Sequence, residues 1–465
     1  MQIDTGTAIL AIAILVIAFL IGSVTDLHMG IMAITATAIV GPLVFNDSIK
    51  VLREGFPINL FFTLMGVTYM FAIANNNGTV NWIVAMGLKL VAGKAMLFPF
   101  VMFFITAILT AIGCATPAAA AILMPIAMGF NRQNDINPLP MAMAVIQGGS
   151  AGSFSPMGVY GAIINSVVTK AKIPPELYNP MITFGVGILM FFAILVVTWI
   201  LYPGAGPTEE EAAAYADDSI DREASEAALV DEEFGDQSGK KNVDFSKITL
   251  NAERATTLAG IGVLTLLVVI SSVWKKQLHE MNPAFGVFDV GLTALAIGAV
   301  LTLMFPEGAK GAVMQIAWPT ILLVGGIVTY ISMLENHGII QWLGDMAAGL
   351  GNPKFSSILI LFLGALVSAF ASTTGILGAL IPLSVPFLVG DNAALSATML
   401  IGALGISSAT VDCSPFSTNG ALAVANGAHQ GDYIYKAIFK WAWILIVGTP
   451  IVTWALMILP PWGSA

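Results

Sequence analysis

The sequence predicts an all-α polytopic membrane protein built from two inverted repeats. Three observations carry this. Of the 465 residues, 57% are hydrophobic and 10% charged, and the mean hydropathy is +0.87. Apolar runs long enough to cross a bilayer recur from end to end. The second half also repeats the first in motif and in order.

The composition excludes a soluble enzyme and a disordered regulator. A nucleic-acid partner is excluded too, since 18 Lys and Arg stand against 28 Asp and Glu. With 4 His and 2 Cys there is neither zinc-finger spacing nor a disulfide framework. Cys114 and Cys413 sit in apolar sequence and read as buried thiols. The first run starts near Thr7 with no positive stretch before it, so it reads as a retained helix rather than a signal peptide.

The repeats are read at three places. Met65–Ile83 and Gly325–Leu343 align at an offset of 260, pairing Gly66 with Gly326, Asn76 with Asn336, Gly78 with Gly338 and Trp82 with Trp342. Ala115–Ala127 and Ser372–Ser384 align at 257, pairing Thr116 with Thr373 and Pro125 with Pro382. Ser155–Ile163 and Ser414–Leu422 align at 259, pairing Ser155-Pro156 with Ser414-Pro415. Three matches in one order indicate a duplication.

Repeats 1–202 and 255–465 flank a linker, 203–254; its 209–253 stretch holds 14 of the 28 acidic residues and cannot enter lipid. Each repeat reads as five crossings plus one hairpin that enters and leaves on the same side, over 95–130 and 352–388. An odd number of crossings inserts the halves upside down relative to each other. Segments 79–93 and 339–350, opening at Trp82 and Trp342, read as interfacial arms.

A helix can be interrupted at membrane depth only where the break is buried in protein or lines a wet cavity. Four such breaks are expected: hairpin tips 113–117 and 372–375, and interrupted helices 148–156 and 407–419. Free N–H groups at helix starts suit an anion, and unwound carbonyls and hydroxyls suit a hard cation. None of the four contains Lys or Arg.

The substrate side is assigned to Thr116, Ser155, Pro156, Ser372, Thr373, Thr374, Ser414, Pro415, Thr418 and Asn419. The cation side is assigned to Cys114, Gly149, Ser150, Ser153, Ser408 and Asp412, with Na⁺ favoured over H⁺ as the coupling ion and no other cofactor. Asp412 has three readings: cation ligand, carrier of a coupling proton, or cap of the next helix. Glu335 and His337 fall after a span and read as solvated loop groups.

The order of span, arm, hairpin with a small hydroxyl tip, and Gly-rich broken helix resembles the ion-transporter superfamily, which includes divalent anion/sodium symporters. That family's Ser-Asn-Thr tip signature falls here on Ala115-Thr116-Pro117 and Ser372-Thr373-Thr374, so the first tip keeps a single hydroxyl. The opening MQIDTGTAILAIAILVIAFLIGSVTDLHMGIMA and the stretch IGCATPAAAAILMPIAMGFNRQNDINP are similar to MatC-type malonate and dicarboxylate carriers.

The resemblance implies a homodimer in the plasma (inner) membrane and an elevator built from a scaffold and a mobile transport domain. It implies cation-coupled transport of malonate or a C4-dicarboxylate. It also puts the N-terminus outside and the linker in the cytoplasm. An antiporter or oxyanion exporter on the same scaffold is the alternative; a membrane-embedded enzyme lacks a nucleophile–base pair at workable spacing.

Overall fold

The computed structural model describes the chain except residues 1–4, 25–26, 91–94, 135, 172, 175, 208–247, 274–288, 340–341, 343–351, 370–372, 389–393, 428–429 and 465. Most of the acidic linker, Ser372 and most of the second arm therefore lie outside the described residues.

The first half supplies α1 (Thr5–Val24), α2 (Met29–Val44), α3 (Ile49–Gly55), α4 (Ile58–Asn76), α5 (Thr79–Leu90), α6 (Phe98–Ala111), α7 (Thr116–Asn134), α8 (Pro138–Ser153), α9 (Val159–Lys170) and α10 (Pro180–Leu201). The second supplies α11 (Ala252–Val273), α12 (Val290–Met304), α13 (Trp318–Asn336), α14 (Pro353–Ser368), α15 (Thr373–Ser384), α16 (Ala397–Ala409), α17 (Thr418–Asn426) and α18 (Gly431–Thr453). Among the described residues, 5 helical stretches are long and apolar enough to cross a membrane.

The starts of many helices are legible in the sequence. Asn137-Pro138, Asn179-Pro180 and Asn352-Pro353 each cap a helix: the Asn side chain accepts a backbone N–H of the first turn, and Pro fills a position whose N–H has no partner. His28 caps α2 through Nδ1, and Asp289 caps α12.

The helices form two bundles. In the first, α2 crosses α13 and α4 crosses α12, so each half grips the other. A Cβ on Gly30 would lie 2.2 Å from the Leu322 carbonyl oxygen, and one on Gly291 would lie 2.3 Å from that of Phe62. Likewise a Cβ on Gly66 would meet the Gly291 carbonyl and one on Gly326 the Gly30 carbonyl, each at 2.1 Å. These contacts exchange under the 260–261 offset that relates Gly30, Phe62 and Gly66 to Gly291, Leu322 and Gly326. Backbones touch here, which only glycine permits.

The second bundle gathers α6–α10 and α14–α18, with α8 packed on α6, α7 and α10, and α16 packed on α14, α15 and α18. The bundles meet where α15 lies on α13, and α9 on α4 and α13. Outward faces are apolar: Leu43 is 81% exposed and Leu303 82%, as a lipid-solvated surface requires.

Two expectations are corrected. Gly148–Ser153 is not a break: α8 runs through Ser153, and the chain leaves helical geometry only over 154–158. The glycines serve packing instead, since a Cβ on Gly148 would lie 2.4 Å from the Phe103 carbonyl and one on Gly152 2.0 Å from that of Ala107. In that dry contact the intrahelical hydrogen bonds have no competitor, so the helix persists despite its composition. Ser407 and Ser408 are likewise helical, and the second interruption spans 410–417, starting as a 3₁₀ turn.

Candidate substrate and ion site

The first hairpin turns at Gly113, whose φ of +104° excludes most side chains, as does the Val67 side chain that a Cβ there would strike. Helix α7 then opens with Thr116-Pro117. The Thr116 and Ser153 hydroxyls are 2.8 Å apart, and Ser153 gives its hydrogen to the Gly149 carbonyl at 3.0 Å. Thr116 is therefore the donor of that pair. Gly149 offers a helical carbonyl here rather than an unwound one.

Ser155 fastens the break to the hairpin. Its hydroxyl donates to the Ala111 carbonyl at 2.6 Å and accepts from the backbone of Gly158 at 2.9 Å. Ser414 accepts from the Phe416 N–H, and Ser417 caps α17 while donating to the carbonyls of Asp412 and Ser414. Pro156 and Pro415 follow Ser155 and Ser414 within these non-helical stretches.

The second half breaks the symmetry. Ser153 and Asp412 are equivalent positions at the 259 offset. Where Thr116 meets Ser153, Thr373 meets Asp412, donating to Oδ1 at 2.5 Å, with the Ser368 hydroxyl 2.7 Å behind Thr373. Two donors reach Asp412 Oδ2 from the first half: Tyr160 at 2.6 Å and Ser150 at 3.3 Å. The Tyr160 hydroxyl also lies beside those of Thr116 and Thr373, so it stands between the two hairpin tips. Gln147 Nε2 ties α8 to the interruption by donating to the Thr410 carbonyl at 3.0 Å.

Asp412 is 5% exposed, and no Lys or Arg pairs with it among the described residues. A buried carboxylate without a cation needs hydrogen-bond donors, and three hydroxyls supply them. Gln147 Oε1, Ser408 Oγ and Asn419 Oδ1 are buried with no hydrogen-bond partner among the described residues. Asn419 opens α17, which packs on α7, whereas Ser408 points toward Gly364 of α14.

Of the assigned residues, Thr116, Ser150, Ser153, Thr373 and Asp412 converge. Thr374 is half-buried one position into α15, and Thr418 is exposed. Cys114 and Cys413 are buried free thiols, with Cys114 Sγ on its own tip, 3.3 Å from the Ala115 carbonyl. Tyr160 and Gln147 were not anticipated. Tyr160 lies inside the repeated Ser155–Ile163 segment at the register of Asn419, a signal that was available.

Residues 5–153 match the family profile described as the N-terminus of the dicarboxylate carrier protein MatC, and residues 284–463 match that of the citrate transporter. The structure is similar to the YdaH transporter of Alcanivorax borkumensis, whose crystal structure revealed an unusual topology. That likeness has a TM-score of 0.55 at 14% identity and covers 98% of this chain and 99% of the other. A comparison with curated protein sequences gave no significant match.

Both profiles and the structural neighbour are those of transporters, and the chain is a multi-pass membrane transporter. The transporter's first profile match ends at Ser153, so it contains the first hairpin and α8. The second contains Thr373 and Asp412, so the converging residues of the two halves come from two different profiles.

Proposed function

We propose that this transporter is a secondary active carrier of small dicarboxylates, malonate or a C4-dicarboxylate, coupled to a cation bound at Asp412. The observation that carries the reading is the Asp412 carboxylate, held by hydroxyls from both halves at the junction of the hairpin tips. The starts of α7 and α15 offer N–H donors and the positive ends of helix dipoles to a dianion. Hydroxyls and the Asn419 amide complete an anion site with no fixed cation, and the coupling ion offsets the charge of Asp412.

Na⁺ is the favoured ion, since buried oxygens without donors, Gln147 Oε1 and Asn419 Oδ1, are hard ligands of the kind it takes. A second reading, H⁺ carried on Asp412, has its own support. Thr373 can donate to the carboxylate, or accept from the protonated acid and turn its hydrogen to Ser368, so the cage serves both states.

Repeats 1–202 and 255–465 would each contribute helices to both bundles, with the second bundle sliding on the first as an elevator. A homodimer in the plasma membrane follows from the family resemblance.

Uptake of labelled malonate, succinate and citrate into proteoliposomes tests the reading. Citrate belongs in the screen because of the C-terminal match. Saturable accumulation driven by an inward Na⁺ gradient is expected; accumulation driven only by a pH gradient selects H⁺ instead. Facilitated equilibration indifferent to both gradients would refute coupling.

A further inference from the structure

Lys170 ends α9, on the helix that carries the second bundle against α4 and α13. Its ammonium nitrogen is buried and makes no hydrogen bond among the described residues. Glu335, in the last turn of α13, lies beside it and acts on it electrostatically. The two line one cavity of about 10 Å³, together with Val167, Val328, Ser332 and Pro382. That is room for a single water, enough to bridge ammonium and carboxylate. A buried ammonium is costly without a counter-charge, and Glu335 is the group placed to provide it.

The pair sits on the seam between the bundles, and the seam is lopsided. Helix α15 packs on α13, and α9 on α4, while among the described residues the repeat-equivalent contacts of α7 on α4 and α17 on α13 are marginal at most. Two equivalent halves with unequal cross-bundle contacts define one of two related arrangements. Exchanging the roles of the halves generates the other. By the repeat offsets of 259 and 260, the positions equivalent to Lys170 and Glu335 are His429 and Asn75. Asn75 is neutral, so the exchanged arrangement has no matching ion pair.

We propose that Lys170 and Glu335 form a state-selective latch across the bundle seam, stabilising this arrangement over the exchanged one. The latch rests on the reading that the bundles slide past each other during transport. It is a distinct device from the site, because both residues line a cavity whose lining includes neither Asp412 nor a described tip hydroxyl. Its effect is on the population of states rather than on recognition of the cargo.

The test uses the full-length protein in liposomes with Val167→Cys and Val328→Cys, which face the same cavity, and a short bifunctional thiol reagent. Protein without the introduced cysteines controls for Cys114 and Cys413. Lys170→Gln and Glu335→Gln should each slow cross-linking roughly five- to ten-fold, the population change expected of a contact of this size. The charge swap Lys170→Glu with Glu335→Lys should restore the rate. Unchanged cross-linking in both neutralised variants, or a swap that restores nothing while the protein stays monodisperse, overturns the latch. Uptake measured on the same liposomes separates the two readings. Transport with indifferent cross-linking refutes the latch alone. Cross-linking that responds without any carboxylate uptake keeps the latch and refutes the cargo.

Discussion

The two halves share a backbone plan and differ in chemistry at three matched places. At the hairpin junction, Thr116 with Ser153 faces Thr373 with Asp412. At the cap of the second helix, His28 stands where the other half has Asp289. At the bundle seam, Lys170 and Glu335 correspond to His429 and Asn75. Where the halves interlock, by contrast, the same glycines recur. Packing kept the symmetry because close backbone contact tolerates no substitution. The junction broke it, since a single carboxylate stands where the other half has a hydroxyl.

The junction offers the hardest test of this contrast. Asp412→Ala should lower coupled uptake about 100-fold or more, since hydrogen bonds to a charged group contribute roughly 1.5–3 kcal/mol each and about 1.4 kcal/mol is a decade. Ser153→Ala, at the equivalent position, should cost less than about tenfold. Equal losses in the two variants would dissolve the functional asymmetry.

The scaffold should behave in the opposite way, with both halves equally sensitive. Gly66→Ala and Gly326→Ala would each force a Cβ onto a backbone carbonyl at 2.1 Å. Each should destabilise by about 1–3 kcal/mol or slightly more, read as similar drops in thermal unfolding temperature in detergent. A large drop in one and none in the other would show that the halves do not share the load.

The caps give the smallest effect. His28 is held below the usual imidazole range by burial, opposed by its hydrogen bond to the Pro319 backbone. It is thus harder to protonate folded than unfolded, so its contribution is complete above the unfolded value of about 6.5 and is lost as pH falls below it. Protonation also removes the lone pair of Nδ1 that accepts from Gly30. His28→Asn should keep the cap and flatten the acid-side decline in unfolding temperature by about 1 °C.

The interlock and the junction were legible to different degrees. Gly66 and Gly326 stood out in the repeat alignment, and the helix starts followed from Asn-Pro pairs. The hydroxyl-bearing tips also pointed to Thr116 and Thr373, and the interrupted helix 407–419 to Asp412. Glu335 was misread as a solvated loop group, although it ends α13 half-buried against Lys170. Sequence position at a span end does not reveal what a neighbouring bundle covers.

The sequence by itself determined the solvent of this protein, its duplication and the polar punctuation of its helices. Those properties are local, set by composition and by the order of residues along one strand of chain. Only the tertiary structure decided that α8 stays helical through Ser153, and that Tyr160 and Ser150 reach Asp412 across sequence separations of 252 and 262 residues. The first depends on whether neighbours leave the backbone any other partner. The second depends on how two interlocked repeats dock, and neither condition is written at the residues themselves.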